Sequence, residues 1–333
     1  MFDKSQLTIE NMEFGHYTYE MVVDWIELEV HVAERCKFWT MQEVLRDIQQ
    51  LSQDVNPYVK LQGDHDNGAS DTFRFKIQDP KSCAEIYSII DGLGKRFNFV
   101  NPIKVTGIEV AFDTYLRGAT VQQLAQIAFD RYRFSTHTPT NDWYFYRIKG
   151  EGREFLNALG HQREVHSLFE KGWQLTDTNS QDVPLRAHGY VKTTDRGGKD
   201  RLRVGQHAAR YEFTLRDAAL PCKSMQDLEG FDFSSLARLF KFRKLRDNLH
   251  PATRYSLTIW GGAGSQVGRR GDYRRKHPSN AGQYSGEKTK YRGSTVADAP
   301  LNKVARDQLR ALTTAWRKTP YADFDGEKVI QNH

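Results

Sequence analysis

The chain has 333 residues, 38% of them hydrophobic and 27% charged, with a net charge of +6 at pH 7. That length allows one large domain or two ordinary ones. No apolar run approaches the roughly 18 residues of a membrane helix, and the start Met1-Phe2-Asp3-Lys4 lacks the basic-then-apolar layout of a secretory leader. The cysteines, Cys36, Cys83 and Cys222, are scattered, so they fit neither a disulfide framework nor a thiolate zinc site and point to a reducing compartment.

The first strong strand signal covers residues 24–32. Side chains alternate faces along a strand, so Ile26, Leu28, Val30 and Val32 oppose Glu27, Glu29 and His31. Residues 40–43, Thr-Met-Gln-Glu, have the spacing of a reciprocal capping box and lead into helical spacing at Val44, Leu45, Ile48 and Leu51. A strand over 72–78 sets Phe73, Phe75 and Ile77 against Arg74, Lys76 and Gln78. Capping patterns at Ser82/Glu85 and Thr120/Gln123 start two further helices. Between them, residues 106–113 oppose Ile108, Val110 and Phe112 to Glu109 and Asp113.

Strand signals dominate after residue 135: 143–148, 153–159, 185–193, 201–216 and 254–260. In 209–216, Tyr211, Phe213 and Leu215 oppose Arg210, Glu212 and Arg216. One basic helix is expected from Ser234 or Ser235 to His250. Its inward residues are Leu236, Leu239, Phe240 and Leu245; Arg238, Lys241, Arg243, Lys244 and Arg246 face mostly outward, and Pro251 stops it. From Gly261 to about Asp298 the chain turns Gly- and Ser-rich, and between Ser265 and Ser294 it carries Arg269, Arg270, Arg274, Arg275, Lys276, Lys288, Lys290 and Arg292, opposed by Asp272 and Glu287. That excess equals the whole net charge, the footprint of a nucleic-acid contact on an arm expected to order only on binding. Leu301–Arg317 reads as a last helix striped with Val304, Leu309, Leu312 and Trp316.

The expected fold is therefore α+β: largely antiparallel sheets of ferredoxin-like or RNA-recognition-like type, helices on one face, a basic flexible arm and a terminal helix. The expected divisions are 1–135, 136–260, 261–298 and 299–333. No phosphate-cradling Gly-rich loop with Lys-Ser or Lys-Thr, no Gly-x-Ser-x-Gly elbow and no His-x-His occurs, which argues against ATPase and serine-hydrolase chemistry.

Carboxylates on one sheet face can seat a hard divalent cation, and such a cation beside a nucleic acid is a phosphoryl-transfer centre. Glu109, Asp113 and Glu212 are the candidate ligands, if their strands are neighbours. A phenol can attack a DNA phosphate; Tyr144 and Tyr146 share one strand face, and Tyr190 lies between His188, which could orient or deprotonate it, and Lys192, which could neutralise a phosphate.

The strand 108–113 (Ile-Glu-Val-Ala-Phe-Asp), the aromatic strand 143–146 (Trp-Tyr-Phe-Tyr), the segment 190–195 (Tyr-Val-Lys-Thr-Thr-Asp) and the strand 210–216 (Arg-Tyr-Glu-Phe-Thr-Leu-Arg) resemble the replication-initiation-factor family, the rolling-circle initiators of bacterial plasmids and filamentous phages. The resemblance spans roughly residues 20–260 and implies a cytoplasmic, metal-dependent nickase in a bacterial host. Glu212 with Glu109 or Asp113 would hold Mg2+ or Mn2+. A tyrosine, Tyr144, Tyr146 or Tyr190, would form a 5′-phosphotyrosyl bond, with Lys192 near the phosphate. Arg238, Lys241, Arg243, Lys244, Arg246, Arg269, Arg270, Arg274, Arg275 and Lys276 would contact DNA. A host helicase and a second copy of the chain are possible partners, and no membrane is involved. The paired-histidine metal motif of the better-known nickases is missing. A DNA-binding regulator without catalysis, or an RNA-binding protein, fits the same scaffold.

Overall fold

A computed structural model describes residues 17–52, 55–63, 66–137, 144–149, 152–157, 165–178, 180, 183–195, 200–248 and 295–317. The elements are β1 (Tyr17–Lys37), α1 (Phe38–Ile48), β2 (Val59–Gln62), β3 (Ala69–Gln78), α2 (Cys83–Gly94), β4 (Lys104–Leu116), α3 (Val121–Arg133), β5 (Tyr144–Lys149), β6 (Gly152–Asn157), α4 (Val165–Glu170), β7 (Gln174–Thr176), β8 (Leu185–Lys192), β9 (Thr194–Asp195), β10 (Asp200–Arg201), β11 (Ala208–Arg216), α5 (Met225–Glu229), β12 (Arg243–Leu245), β13 (Thr295–Ala297) and α6 (Ala299–Arg317). Nine strands form one large antiparallel sheet in the order β2-β3-β1-β4-β11-β8-β7-β5-β6. This is the α+β architecture expected from strand alternation. No helix among the described residues is long and apolar enough to cross a membrane.

Two compact units divide the chain: Met1–Met21, Ala111–Phe213 and Ser235–Leu309 form the first, and Val22–Val110, Thr214–Ser234 and Arg310–His333 form the second. The second contains most of β1, then α1, β2, β3, α2 and the first half of β4, with sheet order 2-3-1-4. That is the split βαβ arrangement of ferredoxin-like folds. Its register places Ile26, Leu28 and Val30 opposite Ile77, Phe75 and Phe73. All six are fully buried beneath α1 and α2, which supply Met41, Leu45, Ile86, Ile90 and Leu93. Each such burial contributes about 2 kcal/mol before chain entropy is subtracted. Ser82 caps α2 by accepting from the Glu85 amide. The capping spacing at Thr40/Glu43 is not used: α1 starts three residues earlier, after Lys37, without a side-chain cap.

In the first unit, β5 pairs with both β6 and β7, and β7 pairs with β8. Helix α3 opens with a complete Thr120/Gln123 capping box. Its Tyr132 lies so close to β8 that a Cβ on Gly189 would stand 3.0 Å from the ring.

The basic helix expected over 234–250 does not form among the described residues, 234–248. A 3-10 turn covers Phe233–Arg238, and Arg243–Leu245 then runs as β12, paired with β13. The apolar residues there follow a period of two into the core. Phe240 and Phe242 pack on Phe112 and Tyr211, and the Phe242 amide donates to Asn302 at 2.7 Å. Tertiary pairing with a segment fifty positions away outweighs local helical spacing. Thr295–Ala297 is thus strand rather than the end of an arm, and Asp298 caps α6 by accepting from the Leu301 amide.

Candidate metal centre and tyrosine cluster

The site is built from alternate residues of neighbouring strands. On β8, Ala187 and Gly189 face α3, which leaves His188 and Tyr190 on the other side. On β11, Tyr211, Phe213 and Leu215 enter the core, so Arg210, Glu212, Thr214 and Arg216 share the opposite face. On β4 the same rule puts Glu109 and Asp113 opposite Ile108, Val110 and Phe112. Tyr146 of β5 lies beside Gln174 of β7 in register.

His188 Nδ1 stands 3.1 Å from Glu212 Oε1, and the Tyr190 hydroxyl donates to Glu212 Oε2 at 3.1 Å. The Tyr146 hydroxyl donates to Gln174 Oε1 at 2.5 Å and lies 3.4 Å from His188 Nδ1. The Thr214 hydroxyl donates to Glu109 Oε2. Glu109, His188 and Glu212 each offer one ligand atom, and these three atoms lie within 4.8 Å of one another.

The donor set fits a divalent cation. Two carboxylates and an imidazole suit metals from Mg2+ and Mn2+ to Zn2+. Ligand atoms around one ion at about 2.1 Å stand about 3 to 4.2 Å apart, so the three side chains need only close in on an ion by local adjustment. All three residues are buried, at 7%, 7% and 3% exposure, and a bound cation would offset the cost of burying two carboxylates side by side. The acid-bearing face is therefore not the solvated surface that alternation alone implies. Glu27, Glu29 and Asp113 are buried as well.

The other sequence candidates fall elsewhere. Asp113 is outside the cluster: Arg210 Nε and Nη2 clamp its two oxygens at 2.8 and 2.7 Å, with both side chains 2% exposed. Arg210 Nη1 also approaches Glu212 Oε2 at 3.8 Å. Tyr144 packs edge-on against Phe155. Lys192 ends β8, half-buried, on the face of His188 and Tyr190. Arg238, Lys241, Lys244 and Arg246 are exposed, whereas Arg243 donates to the Thr295 hydroxyl and carbonyl at 2.9 Å each. Arg269, Arg270, Arg274, Arg275 and Lys276 lie outside the described residues. His188 as a possible ligand, and Gln174 and Thr214 as its setting, are the additions. Their sequence signal is parity with Tyr190 or Glu212 along the same strands, readable only once strand order is known.

No protein-family model matches the chain, and neither does any curated protein. Among solved structures, the chain is similar to a rolling circle replication initiator protein from Geobacillus stearothermophilus, at 15% identity and a TM-score of 0.30. The alignment covers 71% of this chain and 91% of that one. A likeness at that score carries no weight for chemistry.

Proposed function

We propose that this chain initiates rolling-circle replication by nicking one DNA strand through metal-assisted tyrosine attack, with Tyr190 as nucleophile. One observation carries this reading: a phenol hydroxyl 3.1 Å from a carboxylate that itself belongs to a buried Glu/His/Glu group able to hold a cation. Glu109, His188 and Glu212 would hold Mg2+ or Mn2+. When bound, such an ion polarises a non-bridging phosphate oxygen and offsets the charge that develops there.

The protein's own groups perform the rest. The Tyr190 hydroxyl points its proton at Glu212 Oε2, which accepts it as the phenol oxygen attacks phosphorus. The P–O3′ bond breaks, and the 3′ oxygen leaves with the bonding pair and takes a proton from water. The 5′ phosphate stays on Tyr190, and the free 3′ hydroxyl can prime synthesis. Attack of that hydroxyl on the phosphotyrosine rejoins the strand. His188 holds the Glu212 carboxylate from its other oxygen, and Thr214 orients Glu109. Lys192, at the end of the same strand, would neutralise the phosphate. The exposed cations Arg238, Lys241, Lys244 and Arg246, with the basic stretch beyond them, would supply sequence-independent contacts to the DNA backbone. Tyr146 suits the attack less: it is 6% exposed, and its hydroxyl is committed to Gln174.

The test is a supercoiled plasmid carrying the DNA that flanks the gene, incubated with the protein and Mn2+ and then denatured. Open circles bearing covalent protein are expected. Tyr190→Phe should abolish the adduct and spare DNA binding, while Tyr146→Phe should retain it. Binding without nicking by the wild type would overturn the catalytic reading in favour of a regulator. An adduct that survives Tyr190→Phe but not Tyr146→Phe would move the nucleophile.

A further inference from the structure

Lys76 occupies an unusual setting within the second unit. On β3 its neighbours Phe75 and Ile77 enter the core, and Lys76 projects from the opposite face. Its ammonium lies 3.4 Å from the ring centroid of Trp25 and 5.3 Å from that of Tyr58. The Arg216 guanidinium lies over the same Trp25 ring at 5.2 Å. Gly107 makes room for this arrangement, since a Cβ there would stand 3.0 Å from the indole.

The cations of this face differ in what neutralises them. Arg74 and Lys104 both bind Glu29, at 2.8 and 3.3 Å. Arg216 is clamped on buried Glu27 at 2.6 and 3.1 Å, and the Thr106 hydroxyl also donates to Glu27 at 3.1 Å. Lys76, by contrast, has no carboxylate within ion-pair distance among the described residues. Burial pushes its pKa below the ordinary lysine value, and the more distant Glu109 and Glu27 oppose that shift. An ammonium held against indole, partly stripped of water and lacking a paired carboxylate, interacts strongly with any anion that reaches it.

We propose that Lys76, supported by Arg216, grips a backbone phosphate of a single DNA strand, with Trp25 as the floor of the site. Tyr58, 44% exposed, supplies an aromatic wall on which the adjoining nucleotide stacks. The ligand is thus the phosphodiester of unpaired DNA, held within the same unit as Glu109. This rests on the DNA-nicking reading above, and it assigns one contact to the backbone of the bound strand.

The test titrates a labelled oligothymidylate against the protein in EDTA across a range of NaCl concentrations. Lys76→Met keeps the stem on Trp25 and removes the charge. It should weaken binding about tenfold at low salt, the worth of one charge-assisted contact. The slope of log K against log salt should flatten by about 0.7, as for one phosphate contact on a single strand. Lys76→Arg should restore the slope. Lys76→Gln serves as a second neutral variant, and a thermal melt checks the fold of each. Unchanged affinity and slope in folded Lys76→Met or Lys76→Gln would overturn the proposal. Adduct formation by the wild type alongside an unchanged slope defeats the phosphate grip alone. A flattened slope with no adduct defeats the nicking reading alone, and absence of any salt-dependent binding defeats both.

Discussion

The Asp113–Arg210 pair offers a sharp test of how this sheet is held. Both side chains are 2% exposed, and two short hydrogen bonds join them. Asp113→Ala leaves a guanidinium in the interior without its principal counter-charge, a loss of about 3–5 kcal/mol in comparable buried pairs. Arg210 Nη1 already stands 3.8 Å from Glu212 Oε2, so the freed guanidinium can close on that carboxylate. This partial replacement places the expected cost near the lower end, about 3 kcal/mol. In urea at neutral pH, followed by tryptophan fluorescence, the midpoint should fall by about 1 M at a slope of about 3 kcal/mol/M. The double variant Asp113→Ala/Arg210→Met should recover most of the loss, because two apolar groups replace a pair that was costly to desolvate. Asp113→Asn should retain Mn2+ binding by calorimetry, since Asp113 lies outside the Glu109/His188/Glu212 group. A midpoint for Asp113→Ala within error of wild type, or loss of Mn2+ binding in Asp113→Asn, would refute this account and return Asp113 to the ligand set.

Gly189→Ala should cost about 1–3 kcal/mol by overpacking, because the added Cβ meets the fully buried Tyr132 at 3.0–3.1 Å. The strain falls between His188 and Tyr190, so cation affinity, read by calorimetry, should drop with stability. Burial pushes the thiols of Cys83 and Cys222 up to about 12, so iodoacetamide at pH 8 should label both only after unfolding, read by mass spectrometry. Glu29 supplies a pH dependence: burial alone would raise its pKa, but the hydrogen bonds from Arg74 and Lys104 outweigh burial and hold it below the usual carboxylate value. A depressed carboxylate stabilises the fold above its unfolded pKa and loses that contribution as pH falls through the folded value. The stability gap between wild type and Glu29→Gln, measured by urea unfolding, should therefore be full near pH 7 and shrink as pH drops below about 4.

Alternation made the strands legible. Ile108, Val110 and Phe112 lie in the core, and Glu109 and Asp113 share the other face, as the period of two requires. The caps at Ser82 and Thr120 were readable because capping is chemistry over three residues. What could not be read depends on distant partners. Leu236, Leu239 and Phe240 suit a helix stripe, but pairing with Thr295–Ala297 turns the residues after them into strand. Glu109 and Asp113 are indistinguishable along β4. Only the strands beside it give one a threonine hydroxyl and the other a guanidinium. His188 joins the carboxylates because β8 lies next to β11, and no local pattern announces that adjacency. Burial of the acidic face was equally invisible, since alternation separates two faces without saying whether both are covered.

The short β12–β13 ladder has a consequence for how this protein can diversify. Leu245 and Thr295 are directly paired, so residues 246–294 depart from and return to a single clasp. Closing a chain at its base depends only weakly on how much chain is enclosed. On that ground, lengthening, shortening or exchanging that stretch, with its burden of arginines and lysines, should leave the β12–β13 pairing in place. On the proposed reading, a different insert grafted onto the same clasp would change which DNA is contacted without altering the sheet.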